Sequence, residues 1–198
     1  MRRQAFVDAA REAFFTHGYG ATSMSAISAK VGGSKTTLWT YFPSKQQLFA
    51  AVVDDLVERY GRALEVVLDP CADIASELRR FARALLETLH SQPIIDLHRL
   101  TIGEAGRSPE LGRMMFDRGQ AKGSARLQAF IEAAMKEGKL RQGDPALAAR
   151  QFASFLQAGS PHERMLGLID APDDGRIETE IETVVSAFMH SWAQRETH

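Results

Sequence analysis

Residues 22–48 read TSMSAISAKVGGSKTTLWTYFPSKQQL, and this stretch decides how the N-terminal part folds. Thr22 and Ser23 open a short helix whose apolar face is Met24, Ile27 and Val31. Gly32-Gly33 ends it, because successive glycines reach backbone angles that a side chain forbids. Ser34 can cap a second helix, Lys35 to about Thr40, and Phe42-Pro43 then breaks the chain. Ser44 caps a third, longer helix, with Gln47 three residues on completing a capping-box pattern. Helix, glycine turn and short polar helix is the order of a helix-turn-helix.

The surrounding residues form a denser pattern. Phe14-x-x-His17-Gly18-Tyr19, Thr22-Ser23-Met24-x-x-Ile27 and Lys35-x-x-Leu38-Trp39-x-Tyr41-Phe42-x-Ser44-Lys45-x-x-Leu48 resemble the N-terminal signature of the TetR family of bacterial and archaeal transcription regulators. The match runs over residues 5–53, with aromatic and glycine positions recurring at fixed offsets. The resemblance implies an all-α fold, a DNA-binding head and a helical ligand-binding and dimerisation domain. On that basis residues 1–46 are expected to form the head and 47–198 the remainder.

Outside the motif the pattern is helical almost throughout. Phe6, Ala10, Ala13 and Phe14 trace one face of a first helix that ends at Gly18. The helix from Lys45 is expected to run to about Leu68 and to join the two parts, since Asp69-Pro70 stops it. Ile74, Leu78, Phe81, Leu85 and Leu89 give a fifth helix, and Pro93 starts a sixth that fades near Gly103 and Gly106. Ser108-Pro109 opens a helix that reaches Gly138, with a kink possible at Gly119 or Gly123. Asp144-Pro145 opens Ala146 to Ala158, Gly159-Ser160-Pro161 interrupts, and Ile177 to Trp192 closes the chain. The reading is about nine helices: three in the small N-terminal unit and six in a larger bundle.

Charge is segregated along the chain. Residues 1–50 carry Arg2, Arg3, Arg11, Lys30, Lys35 and Lys45 against Asp8 and Glu12, a net +4, and the other 18 basic and 23 acidic groups make the rest −5. The positive part can meet phosphate while the remainder stays acidic. An overall charge of −1 argues against a non-specific architectural DNA binder, which needs a far more basic chain. One cysteine, Cys71, excludes an internal disulfide and fits a cytoplasmic protein, and no apolar run approaches membrane-spanning length. Met1-Arg2-Arg3 leads directly into a helix, with no leader expected.

A helix-turn-helix lays its second helix in the major groove. Lys35 can reach a guanine edge or a phosphate, and Thr36 and Thr37 can touch a thymine methyl or donate to phosphate. Leu38 and Phe42 are expected to pack inward, Thr40 lies near the groove side, and Trp39 and Tyr41 suit either core or contact. The family resemblance places Tyr41 against backbone phosphate. Thr22, Ser23, Ser34 and Lys45 stand at helix starts, where free N–H groups and the lysine charge can each clamp a phosphate, though Thr22 and Ser44 also serve as caps. Arg2 and Arg3 read as a short arm that enters a minor groove or, as the bland alternative, makes a disordered, non-specific contribution.

In the larger part the resemblance implies a four-helix dimer interface, two helices from each subunit. Ala148, Phe152, Phe155 and Leu156, with Ile181, Val184, Val185 and Phe188, supply the apolar stripes, which suit a subunit core equally well. It also implies a small-molecule effector pocket, for which Phe81, Leu85, His98, Arg99, Met114, Met115, Phe152 and Phe155 are the candidates. Methionines repack easily around varied ligands, and His98 with Arg99 can hold an acidic head group. No cofactor or metal is expected: the six histidines fall in no HExxH, and His162-Glu163 lacks the second histidine. The expected partners are operator DNA, a second copy of the chain and an effector. The rival class is an all-α small-molecule-binding protein or enzyme with a vestigial helix-turn-helix.

Overall fold

A computed structural model describes residues 2–32 and 35–194, and at Lys35 the backbone alone. The described residues form eleven α-helices and no strand. In chain order they are α1 (Arg2–His17), α2 (Met24–Lys30), α3 (Lys35–Tyr41), α4 (Lys45–Tyr60), α5 (Ile74–His90), α6 (Gln92–Glu104), α7 (Pro109–Met115), α8 (Ala121–Lys136), α9 (Pro145–Ala158), α10 (Ser160–Met165) and α11 (Asp174–Trp192). The all-α class therefore holds, with two more helices than the pattern suggested.

Both extra helices have local causes. The expected Ser108–Gly138 helix is divided by a π-helical turn, Phe116–Gln120, which separates α7 from α8. Gly119 in that turn faces Val57 Cγ2, 3.5 Å from where a Cβ would sit. Pro161, expected to interrupt, instead starts α10, where its missing N–H is harmless. Capping chemistry sets the other starts: Asp73, Asp144 and Asp173 each accept from backbone N–H groups of the first turn of α5, α9 and α11.

The helix from Lys45 ends at Tyr60, not at Leu68. Gly61 leaves the helical region, and a 3-10 turn follows at Arg62–Leu64. Beyond it the chain is irregular to Asp73, held by Glu77, whose buried carboxylate accepts from Asp69 N at 3.0 Å and from Arg80 Nη1 at 2.6 Å. Val66 and Leu68 continue the apolar pattern because they pack on a core from that irregular segment.

The chain divides into two compact units, each made of separated segments: Met1–Tyr60 with Gln92–Gly119, and Gly61–Ser91 with Gln120–His198. In the first, α6 and α7 pack with α1 and α4, so α4 lies wholly inside that unit rather than joining two. Its core centres on Phe6, Phe14, Ile27, Leu38, Leu48, Phe49 and Leu56, all fully buried. Phe14, Tyr19 and Phe49 meet with ring centroids 5.4 to 5.8 Å apart. In the second, α5, α8, α9 and α11 enclose Leu78, Phe81, Phe152, Leu156, Val185, Phe188 and Trp192. Among the described residues no helix is long and apolar enough to cross a membrane.

Candidate nucleic-acid interface

Three helices of the first unit build the motif. Ser23 caps α2, its Oγ accepting from Ala26 N at 3.1 Å, and Ser44 caps α4, accepting from Gln47 N at 3.1 Å. Gly32 closes α2 with φ +67°, a left-handed angle that suits glycine. Leu38 and Phe42 point into the core as expected. Ser34 and the side chain of Lys35 lie outside the described residues.

The remaining α3 side chains face outward. Thr36 and Thr40 are exposed, and Thr40 donates to the Thr36 carbonyl at 2.9 Å, which fixes its hydroxyl along the helix. Trp39 is 47% exposed and Tyr41 44%, although neither follows the polar pattern of a solvated face. Tyr41 leans on Phe6, centroids 6.2 Å apart and the rings tilted by 49°, while the residue as a whole stays exposed. Thr37 is half-buried. Thr22, Ser23, Trp39, Ser44 and Lys45 come together around one open depression, also lined by Gly20, Ala21, Met24, Ser25 and Pro43.

Two of the expected contacts have hydrogen-bond partners within the unit. Thr22 is buried, and its hydroxyl donates to the Ala13 and Gly18 carbonyls at 3.1 and 2.8 Å, so it locks the α1–α2 turn instead of presenting itself to phosphate. Lys45 Nζ donates to the Tyr19 and Thr22 carbonyls at 2.8 and 3.0 Å and lies 4.3 Å from the Tyr19 ring centroid. Its charge is thereby directed inward, onto the same turn.

Sequence reading missed the residues that hold this turn from the other side. Glu104, at the end of α6, accepts from Gly20 N at 3.2 Å, and Glu110 of α7 accepts from Gln46 Nε2 at 3.2 Å. Burial, then the charges of Glu110 and Glu104, push the Tyr19 phenol above its ordinary range. Residues 84 apart give no local signal, so no pattern in the chain could have found the Glu104 contact.

The other expected sites fall as follows. Of the effector candidates, His98, Arg99, Met114 and Met115 lie in the first unit, and Phe81, Leu85, Phe152 and Phe155 in the second. Phe81 and Phe152 are core, their rings 6.4 Å apart and Phe152 edge-on to Phe188 at 5.2 Å. His98 Nδ1 donates to the Ile94 carbonyl at 2.8 Å, and burial holds its pKa below the ordinary value, so it is a neutral ring rather than an anchor for an acid. Of the dimer candidates, Ala148, Phe152, Leu156, Ile181, Val184, Val185 and Phe188 are buried in their own subunit's core, so only Phe155, 46% exposed, is free for a partner.

A capped helix, a glycine turn and a short helix with exposed Thr, Trp and Tyr side chains define a helix-turn-helix DNA-binding transcription regulator. Residues 6–52 match the model described as bacterial regulatory proteins, tetR family, and residues 76–194 match the AefR-like transcriptional repressor C-terminal domain. The chain belongs to the TetR family of transcriptional regulators. It is 35% identical to the flavonoid-responsive regulator FrrA, with 98% of each chain covered and a TM-score of 0.86. A TetR transcriptional regulator from Agrobacterium tumefaciens is 27% identical over 98% of this chain and 96% of that one, with a TM-score of 0.77. The HTH-type transcriptional regulator YhgD of Bacillus subtilis (strain 168) is 25% identical over 75% of this chain and 76% of that protein.

Proposed function

We propose that the chain is a cytoplasmic, homodimeric repressor that binds a palindromic operator and leaves it when a hydroxylated aromatic effector binds. Residues 1–46 act as the DNA-reading module and 47–198 as the effector and dimer module. The observation that carries the DNA reading is the outward array of Thr36, Trp39, Thr40 and Tyr41 above a core closed by Leu38 and Phe42. Lys35 and Ser34 complete the reading end of α3, and Ser23 faces a phosphate at the start of α2. One such unit makes few base contacts, so specificity needs two, placed about 34–36 Å apart.

Two observations support the effector class. FrrA, alike over nearly the whole chain, is named as flavonoid-responsive. His98, with Nδ1–H given to a carbonyl, keeps a lone pair on Nε2 and asks for a donor such as a phenol, not for a carboxylate. His98, Met114 and Met115 of the first unit, all half-buried, are the proposed effector contacts, with Arg99 beside them in sequence. Selection from a random duplex library at ~150 mM salt, with and without the flavone apigenin, tests the reading. An enriched palindrome that apigenin releases supports it. A palindrome that apigenin leaves bound removes the effector class, and no enrichment removes the operator.

A further inference from the structure

The excess positive charge of residues 1–50 is mostly committed inside the first unit. Arg11 bridges Asp8 and Asp55, each at 3.3 Å, and Lys30 meets Glu12 at 2.5 Å. Lys45 is directed into the α1–α2 turn, and Arg59 of α4 pairs with Asp55 at 3.0 Å. Lys35 and the carbonyl-bound Lys45 aside, the cations of this stretch that have no acidic partner among the described residues are Arg2 and Arg3, both exposed in the first turn of α1.

Arg3 is also held in place. Its guanidinium carbon lies 5.1 Å from the centroid of Phe42, a ring 3% exposed and so unable to move away. Tyr41 stands beside it, centroid 6.5 Å from Phe42. The sequence suggested a short arm, but the arginine is part of a helix and rests on the residue that follows α3. A recognition helix sets its N-terminal residues against the base edges, so groups beside the C-terminal end of α3 lie nearer the phosphate backbone than the groove floor.

We infer that Arg3 is a DNA-backbone contact of this regulator, binding one phosphate beside the end of α3, with Arg2 adding diffuse charge. The inference rests on the DNA-reading role of α3 proposed above. A phosphate is the matching ligand because a guanidinium presents a planar fork of donors and no acceptor. The contact is blind to sequence, since a guanidinium held on Phe42 lies at the helix end and not over the groove floor.

Equilibrium binding of the full-length protein across a salt series, on the selected operator and on a scrambled duplex, tests it with Arg3→Ala, Arg3→Lys and Lys45→Met. Arg3→Ala should weaken both duplexes by the same factor, about three- to tenfold at ~150 mM salt, and lower the salt slope by about 0.9. Arg3→Lys should restore the slope, and Lys45→Met should leave it unchanged. A melting curve matching the wild type's shows that Arg3→Ala still folds. An unchanged slope in Arg3→Ala overturns the inference, and so does a loss confined to the operator. A wild type without operator preference defeats the proposed function instead, and slopes on the scrambled duplex then still decide Arg3.

Discussion

The Ser160 hydroxyl donates to the Glu180 carboxylate across 2.5 Å, and this one bond fixes the protonation of a third residue. Ser160 has a single proton and Glu180 takes it, so His90 Nε2, 2.9 Å from Ser160 Oγ, must be the donor in that pair. In its neutral form His90 therefore carries its proton on Nε2. Its Nδ1 is buried and has no partner among the described residues.

This arrangement makes the second unit sensitive to acid. Burial, then the charges of Arg164 and Arg176, lower the His90 pKa from 6.5 to about 4. Between those values the unfolded chain takes up a proton that the folded one refuses. The stability is complete above pH 6.5 and is lost as pH falls towards 4. Allowing for solvent screening at a half-buried ring, the loss between pH 7 and pH 4 should be about 1–2 kcal/mol. Denaturant melts of wild type and His90→Gln across that range would show it as a difference in slope. Parallel curves would mean that His90 does not govern the acid response.

Gly159 makes the same cluster possible. A Cβ built there overlaps Glu180 Oε1, which accepts from Ser160 N at 3.1 Å. Gly159→Ala should push the carboxylate away and leave two Ser160 donors weakly paired inside the fold, at a cost of about 1–3 kcal/mol. In a Glu180→Ala background, where both Ser160 bonds are already gone, Gly159→Ala should cost less than it does in the wild type. Thermal melts of the single and double variants decide the matter, and an undisturbed Gly159→Ala would show that Glu180 relocates freely.

How far the chain was legible depends on what each residue answers to. Caps and glycine turns are set by neighbours within four positions, so Ser23, Ser44, Asp144 and Gly32 were readable directly. Periodicity placed Leu38 and Phe42 inside because a helix face is a local property. It failed at Leu68, where apolar residues serve a core without being helical, and at Val184 and Phe188, where an apolar stripe cannot say whether its neighbour is the same subunit or another. Charge was the least legible. Lys45 and Arg3 look alike in sequence, yet one is bound to backbone carbonyls and the other rests on an aromatic ring.

Lys45 gives a prediction of its own. Its ammonium joins the start of α4 to the α1–α2 turn, through Tyr19 and Thr22. Removing it takes a donor from the Thr22 carbonyl and leaves the Tyr19 carbonyl with only the Thr22 N–H at 3.3 Å, which costs about 1–3 kcal/mol of local stability. Hydrogen exchange at residues 18–24 should accelerate in Lys45→Met, and operator affinity should fall because the cap of α2 loses its support. Unchanged exchange together with reduced affinity would instead assign Lys45 to direct phosphate binding.

The proposed dimer surface can be separated from the core on a single helix. On α11, Phe188 is fully buried, edge-on to Phe152 and stacked on Trp192, with centroids at 5.2 and 6.3 Å, whereas its neighbour Ala187 is exposed. Thr179, Thr183, Ser186 and His190 share that outward side, a run of small and polar groups on which a second helix could lie closely. Phe188→Ala should lose about 3–5 kcal/mol and soften the whole second unit. Ala187→Arg should keep the wild-type melting behaviour at low protein concentration while sedimentation shows a shift from dimer to monomer, with operator binding lost in step. A dimer that survives Ala187→Arg would move the interface away from α11, to the exposed side of α9 around Phe155.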